Sequence, residues 1–242
     1  MSGFGVPPLT RGVKWLGAIT LAVSIAASVF GEAGQQLAAL LVFVPSGLLR
    51  LHLWTPLTYT FLNGDPMNLL FALLGLWLLG AALEQRWGTR RFVGFYFLTS
   101  AAGALATALL AVAAPQVREH PYFGNWAAME GLIAAFAVLM PDAQIFLYIV
   151  PIQAKWMLPI SAGITVLFML MTGWVPYLPQ LFGLGAGALF AGGGFSPGNL
   201  LLRGKVWWID RSLRRKRLRV IRGAEDDDEI RSAGRGSDKY LH

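Results

Sequence analysis

Cysteine is absent from this 242-residue sequence, and charged residues are scarce. Without cysteine there are no disulfides, no thiolate nucleophile and no cysteine ligands for zinc or iron–sulfur clusters. Asp, Glu, Lys and Arg make up 14% of the chain, against about 25% in soluble globular domains. Residues 203–242 hold 12 of the 20 Lys and Arg and 7 of the 13 Asp and Glu. The preceding sequence is therefore poor enough in charge to require lipid as its solvent.

Long apolar runs take the place of the missing charge. A hydrocarbon layer of about 30 Å needs roughly 20 mostly apolar helical residues. Six runs are candidates, namely residues 13–30, 66–83, 92–114, 125–139, 156–172 and 178–195. The sequence therefore predicts an all-α, polytopic membrane protein with six transmembrane helices within residues 13–202, after a short N-terminal segment, 1–12. Residues 31–63 are too long for a simple turn and predict a large structured first loop, whereas residues 144–150 predict a short interfacial turn.

Positive charge is distributed unevenly between the predicted connections. With a cytoplasmic N-terminus, six crossings place 18 of the 20 Lys and Arg residues on the inside and only Arg50 and Arg118 outside, as the positive-inside rule describes. Residues 203–222 alternate basic with apolar and aromatic residues, which is typical of an interfacial helix on anionic headgroups. The acidic and Gly/Ser-rich remainder of the tail predicts disorder. We expect cytoplasmic termini in a bacterial-type plasma membrane, with membrane lipids rather than nucleic acid as partners of the basic tail.

Four segments carry a resemblance to a known family: residues 53–62, 83–92, 124–132 and 183–187. Over about residues 42–193 the chain resembles the rhomboid superfamily, which contains intramembrane serine proteases and inactive relatives. The first segment resembles the approach to the family's second span, and the second resembles the loop that follows that span. The third lies where the family has a Gly-x-Ser-Gly helix start, and the fourth matches the small-residue face of the sixth span. The resemblance implies a rhomboid-like bundle in which Gly183 and Gly187 serve helix packing.

The positions that carry catalytic groups in that family are changed here. The nucleophile position falls on Trp126, which has no hydroxyl and a bulk that we expect to fill the cavity. The base position falls on Gln180 or a direct neighbour, and glutamine takes no proton at physiological pH. The two histidines and the asparagine of the second-span motif fall on Asn63, Asn68 and Ala72. The three histidines of the chain, His52, His120 and His242, all lie outside the predicted spans.

Polar residues nevertheless remain where the family has its active site. The resemblance brings six of them together in a degenerate cavity around Trp126: Asn63, Asp65, Asn68, Asn125, Glu130 and Gln180. An ionised carboxylate within a span costs about 2.5–3.5 kcal/mol on insertion scales. We therefore expect Glu130 to be protonated or hydrogen-bonded, with Asn68 or Gln180 as its partner. Glu130 either grips a polar or helix-breaking part of a client span or clasps two helices together, and the sequence leaves both open.

The resemblance and its departures predict a rhomboid-like pseudoprotease. Such a protein binds transmembrane segments of client membrane proteins, here through the gap between the second and fifth spans, without cleaving them. No residue is assigned a catalytic role, and neither a cofactor nor a metal is expected. Three alternatives stay open: an active rhomboid intramembrane serine endopeptidase with an unrecognised catalytic arrangement, a transporter, and a lipid-interacting structural protein.

Overall fold

The computed structural model describes residues 8–147 and 150–192, and this part of the chain is built almost entirely from helices. The predicted tail, residues 203–242, lies outside the described residues, as does the end of the sixth predicted span. The helices are α1 (Arg11–Val29), α2 (Gly31–Leu41), α3 (Thr55–Thr58), α4 (Pro66–Gly75), α5 (Ala81–Trp87), α6 (Thr89–Ala113), α7 (Pro115–Arg118), α8 (Trp126–Leu139), α9 (Met157–Thr172) and α10 (Leu178–Gly192). Short 3₁₀ turns lie at Pro45–Arg50, Tyr59–Phe61, Ala154–Trp156 and Val175–Tyr177.

Within the described residues, four helices are long and apolar enough to cross a membrane. They are Arg11–Val29, Pro66–Trp87, Thr89–Ala113 and Ala154–Thr172, so four of the six predicted spans reach the length of a crossing helix. The second of these joins α4 to α5 through a π turn at Leu76–Gly80. The other two predicted spans correspond to α8, with 14 residues, and α10, with 15 described residues. The protein is therefore a helical membrane protein with several apolar spans.

A two-stranded hairpin replaces the interfacial turn predicted for residues 144–150. Strands β1 (Gln144–Leu147) and β2 (Val150–Gln153) pair antiparallel, with Gln144 opposite Gln153. The backbone N–H of Ala154 donates to the carbonyl of Ala143 at 2.8 Å, which closes the open end of the hairpin. Strand pairing satisfies backbone groups that a single extended segment leaves unpaired. The prediction of a turn was wrong because the pairing partner lies beyond the apolar run.

Helix α8 is the centre of the bundle, and α4, α6, α9 and α10 pack around it. Ten of its 14 residues are buried. On α10, a Cβ added to Gly187 would lie 2.5 Å from the Cα atom of Gly131 in α8, and a Cβ on Gly183 would overlap the carbonyl of Ala127. Small residues permit this close approach of two backbones, as at many helix pairs in membranes.

The buried carboxylate of Glu84 joins the ends of three helices. It accepts hydrogen bonds from the backbone N–H groups of Gly12 at 2.8 Å and Val13 at 3.0 Å, at the start of α1. It also accepts from the hydroxyl of Thr10 and, at 2.6 Å, from that of Thr89 at the start of α6. These groups include amides that the helix itself leaves without partners. One side chain from α5 therefore fixes where α1 and α6 begin.

Candidate functional site

A cavity of about 200 Å³ lies at the end of the bundle where α8 and α10 begin. Its walls come from the turn at Tyr59–Phe61, the loop before α8, the first residues of α8 and the region where Val175–Tyr177 leads into α10. Aromatic side chains form much of the lining, and we call it the aromatic cavity. The lining residues are Tyr59, His120, Pro121, Tyr122, Phe123, Gly124, Trp126, Ala127, Pro176, Tyr177, Pro179 and Gln180.

Backbone pairing holds the loop before α8 against the first connection. Phe43 and Tyr122 form an isolated antiparallel bridge, with N–H···O distances of 2.9 and 2.7 Å. The N–H of Gly124 donates to the carbonyl of Tyr59 at 3.0 Å. Gly124 adopts a φ of +94°, which disfavours side chains, and a Cβ there would lie 2.8 Å from the indole of Trp126. A glycine at this position therefore lets the chain turn into α8 with Trp126 beside it.

Burial shifts the pKa values of three residues of the aromatic cavity, each toward the uncharged form. It raises the pKa of Tyr122 to about 12 and raises the pKa of Tyr59 as well. It lowers the pKa of His120, and the nearby Pro121 backbone opposes this with a smaller effect. Because the ordinary pKa of histidine is about 6.5, His120 is neutral at pH 7. The cavity thus presents polar groups but no net charge.

Two residues that line the aromatic cavity each carry one buried polar atom without a hydrogen-bond partner. These atoms are the hydroxyl of Tyr122, whose side chain is 4% exposed, and Nδ1 of His120. Oδ1 of Asn63 and Nδ2 of Asn125, close behind the cavity wall, are also unpartnered. Buried polar groups are nearly always paired, so each exception needs an explanation. In this protein all four exceptions among the described residues lie in one region.

The structure brings some of the predicted cavity residues together and separates others. Trp126 and Gln180 line the same cavity, and this space stays open beside the indole of Trp126. Asn125 is the residue before α8, and Asn63 lies behind Gly124. Asn68 is not among the lining residues, because its side chain and backbone N–H both bind Asp65 at the start of α4.

Glu130 has different partners from those predicted. The hydroxyl of Ser161 donates to its Oε2 at 2.5 Å, and the hydroxyl of Thr165 lies 3.5 Å from its Oε1. Both donors belong to α9, so the expected pairing with Asn68 or Gln180 was wrong. Glu130 clasps α8 to α9 and, like its partners, does not line the aromatic cavity.

Sequence reasoning missed the aromatic residues of the loops. Tyr59, His120, Tyr122 and Tyr177 line the aromatic cavity, and none of them was assigned to it beforehand. The signal for His120 and Tyr122 was available as an aromatic cluster over residues 120–126. A ring contact of 4.7 Å between His120 and Tyr122 shows that the cluster packs on itself.

The comparisons with known proteins identify a family. A family model described as "Eukaryotic integral membrane protein (DUF1751)" matches residues 14–190, which reach from the first turn of α1 to the last turn of α10. No curated protein matches the chain. The family's description names eukaryotic proteins, which gives no support to the bacterial-type membrane expected from the sequence. The match includes every residue that lines the aromatic cavity.

Proposed function

This chain belongs to the DUF1751 family of eukaryotic integral membrane proteins, and from that premise we propose that it is a rhomboid-like pseudoprotease. It binds transmembrane segments of client membrane proteins and does not cut them. The observation that carries the proposal is the pairing of Trp126 with Gln180 in one cavity. A serine protease needs a hydroxyl and a proton acceptor within hydrogen-bond reach of each other. At the two positions that the resemblance implies for these groups, Trp126 has no hydroxyl and Gln180 is not a proton acceptor.

The surface of α8 between α4 and α9 offers a place for a client helix. Met129 packs against Gly75 of α4, while Glu130 binds α9. At 3.6 residues per turn, the α8 stripe between those two contacts contains Trp126 and Ile133. Trp126 is 37% exposed and Ile133 is half-buried, on a helix that is otherwise mostly buried. These two residues form what we call the α8 stripe, and it supports lateral binding of an apolar helix.

Helix α9 is loosely held at the side of the α8 stripe. Thr165 is the only buried residue among the described side chains of α9, and the clasp to Glu130 supplies two polar contacts. Interhelical hydrogen bonds in membranes contribute about 0.6 kcal/mol on average. A client helix that supplies apolar contact along the stripe therefore has little to displace.

Photocrosslinking tests the binding site. A benzoylphenylalanine placed at Ile133 is activated in native membranes, and the same residue at Leu109, 75% exposed on α6, is the control. We expect Ile133, and not Leu109, to form adducts with transmembrane segments of full-length membrane proteins. Equal protein adducts from both positions, or lipid adducts alone, would contradict the proposal.

An active serine endopeptidase is the second candidate, favoured by the 2.5 Å contact between Ser161 and Glu130. A carboxylate beside a hydroxyl is a possible base for a nucleophile. A fluorophosphonate probe labels only an activated serine, so purified protein distinguishes the candidates. Labelling that is lost in Ser161→Ala but kept in Ser28→Ala would replace the pseudoprotease with the enzyme. We expect no labelling.

The proposal includes six crossings, with α8 and α10 as the two short spans, and both termini in the cytoplasm. The distribution of Lys and Arg supports this orientation. Residues 203–222 then bind anionic lipid headgroups from the cytoplasmic side. Deletion of residues 203–242 is expected to reduce binding to anionic vesicles while client crosslinking from Ile133 continues.

A further inference from the structure

The aromatic cavity has a composition that fits one class of ligand. Six of its twelve lining residues carry aromatic rings, which are Tyr59, His120, Tyr122, Phe123, Trp126 and Tyr177. None of the lining residues carries a carboxylate, an ammonium or a guanidinium group. The volume of about 200 Å³ is below the 300–1,000 Å³ typical of drug-sized ligands. The ligand is therefore small, and rings rather than ion pairs recognise it.

Three ligand classes fit poorly. An anion without a cationic group of its own meets no positive charge in the lining, and the described residues contain no group of three His, Cys, Asp or Glu side chains to hold a metal ion. A lipid acyl chain would pair with none of the polar groups of the lining, such as the amide of Gln180. We therefore expect an occupant that contacts ring faces and polar groups together.

We propose that the aromatic cavity binds a quaternary ammonium group of the choline type. Trimethylammonium groups are attracted to the faces of Trp and Tyr rings, and they present methyl groups that pack against the same rings. In phosphocholine, the neighbouring phosphate oxygens accept hydrogen bonds from a lining group such as the Gln180 amide. This role goes beyond client binding, which uses Trp126 and Ile133 on the side of α8; of these two residues only Trp126 also lines the aromatic cavity.

Binding of soluble headgroups tests the ligand class. The full chain is purified in a maltoside detergent, and dissociation constants are measured by calorimetry for phosphocholine and for phosphoethanolamine. Phosphocholine is expected to bind at least about fivefold more tightly, because primary ammonium keeps its water shell while trimethylammonium does not. Equal affinities, or no binding of phosphocholine, would overturn the proposal.

Variants of one ring test the location. Trp126→Phe keeps a ring and is expected to retain most of the affinity, whereas Trp126→Ala is expected to weaken phosphocholine binding about fivefold or more. Trp156→Ala removes a 55% exposed tryptophan outside the cavity and is the control. Tyr177→Ala gives a second test if Trp126→Ala does not fold. Loss of affinity in the Trp156 variant alone, or in none of them, would contradict the site.

Nanodiscs distinguish the two sources of this chemistry. In discs of phosphatidylcholine, a lipid headgroup that fills the cavity is expected to abolish binding of added phosphocholine, whereas discs of phosphatidylethanolamine leave it intact. If both discs leave binding intact, the natural ligand is a free choline compound. If both discs abolish it, the headgroup preference proposed here is wrong.

Discussion

The contact between α8 and α10 gives the sharpest test of the packing. Helix α10 carries two glycines that touch α8, Gly183 and Gly187, and a third glycine, Gly185, that serves as their control. The perturbation is a single methyl group. In Gly187→Ala the new Cβ would lie 2.5 Å from backbone atoms of Gly131, and in Gly183→Ala it would overlap the carbonyl of Ala127. Backbone atoms cannot rotate away as a flexible side chain does, so the two helices have to separate.

The expected cost of each substitution is about 1–3 kcal/mol, the range for overpacking in close-packed interiors. For chains of 150–250 residues, 1 kcal/mol corresponds to about 2–4 °C in the unfolding midpoint, so each variant is expected to lose about 2–12 °C. The double variant is not additive, because both methyl groups push against α8. Gly185→Ala is the control, because no atom lies within 4 Å of its added Cβ. Alanine also stabilises a helix relative to glycine by up to about 1 kcal/mol.

Thermal unfolding in detergent, followed by circular dichroism, measures these differences. The three variants share a helix, a residue type and a change in mass, so effects of the detergent cancel. We expect Gly183→Ala and Gly187→Ala to unfold well below the parent and Gly185→Ala to unfold at or above it. If Gly187→Ala and Gly185→Ala unfold together, the close approach of α8 and α10 is refuted.

Three further predictions concern single side chains. Tyr59→Phe removes a hydrogen bond to the carbonyl of Ser100 at 3.0 Å and should lower the unfolding free energy by about 0.5–1.5 kcal/mol. Tyr122→Phe removes an unpartnered hydroxyl and should leave the unfolding free energy unchanged or raise it. Equal unfolding midpoints for the two variants would contradict this prediction. Glu84→Gln replaces a carboxylate that accepts four hydrogen bonds and should lower the unfolding free energy by about 1.5–3 kcal/mol. Denaturant titration measures this change. An unchanged unfolding free energy would show that Glu84 is not needed to join the ends of these helices. Because burial lowers the pKa of His120, the unfolded chain binds a proton at this residue more tightly than the folded chain does. Stability therefore falls as the pH drops below about 6.5, until the pH has passed the lowered pKa. His120→Gln should remove this part of the pH dependence, and a variant with the pH profile of the parent would contradict the prediction.

Local sequence patterns predicted where the helices lie better than they predicted the hydrogen-bond partners of the polar side chains on them. Hydropathy located the six helical segments to within a few residues, because apolar composition is a property of each segment by itself. The partner of Glu130 was wrong because Ser161 lies 31 positions away, and no local pattern relates the two. Asn68 was assigned to the cavity by the resemblance, but its side chain and backbone N–H donate to Asp65 at the start of α4. A helix cap only three residues away decided its place.

For the aromatic cavity, too, the sequence predicted some of the lining residues but not the contacts that depend on the fold. Trp126 and Gln180 were assigned to one region by resemblance, and both line it. The bulk of Trp126 did not predict that a cavity remains beside it, because the left-handed conformation of Gly124 sets the direction in which the chain enters α8. The contribution of Tyr59 depends on backbone pairing with the loop before α8. Pairing between distant loops is fixed by the fold and leaves little trace in either loop alone.

Binding without cleavage is the central claim, and one measurement tests both halves of it. Two synthetic transmembrane peptides of equal length, one all-leucine and one with a central Gly-Pro break, are added to the purified full chain in nanodiscs. Fluorescence anisotropy gives the affinities, and mass spectrometry of the recovered peptides gives their integrity. We predict that both peptides bind and return at full mass. No binding of either peptide, or peptide fragments that depend on the protein, would contradict this claim.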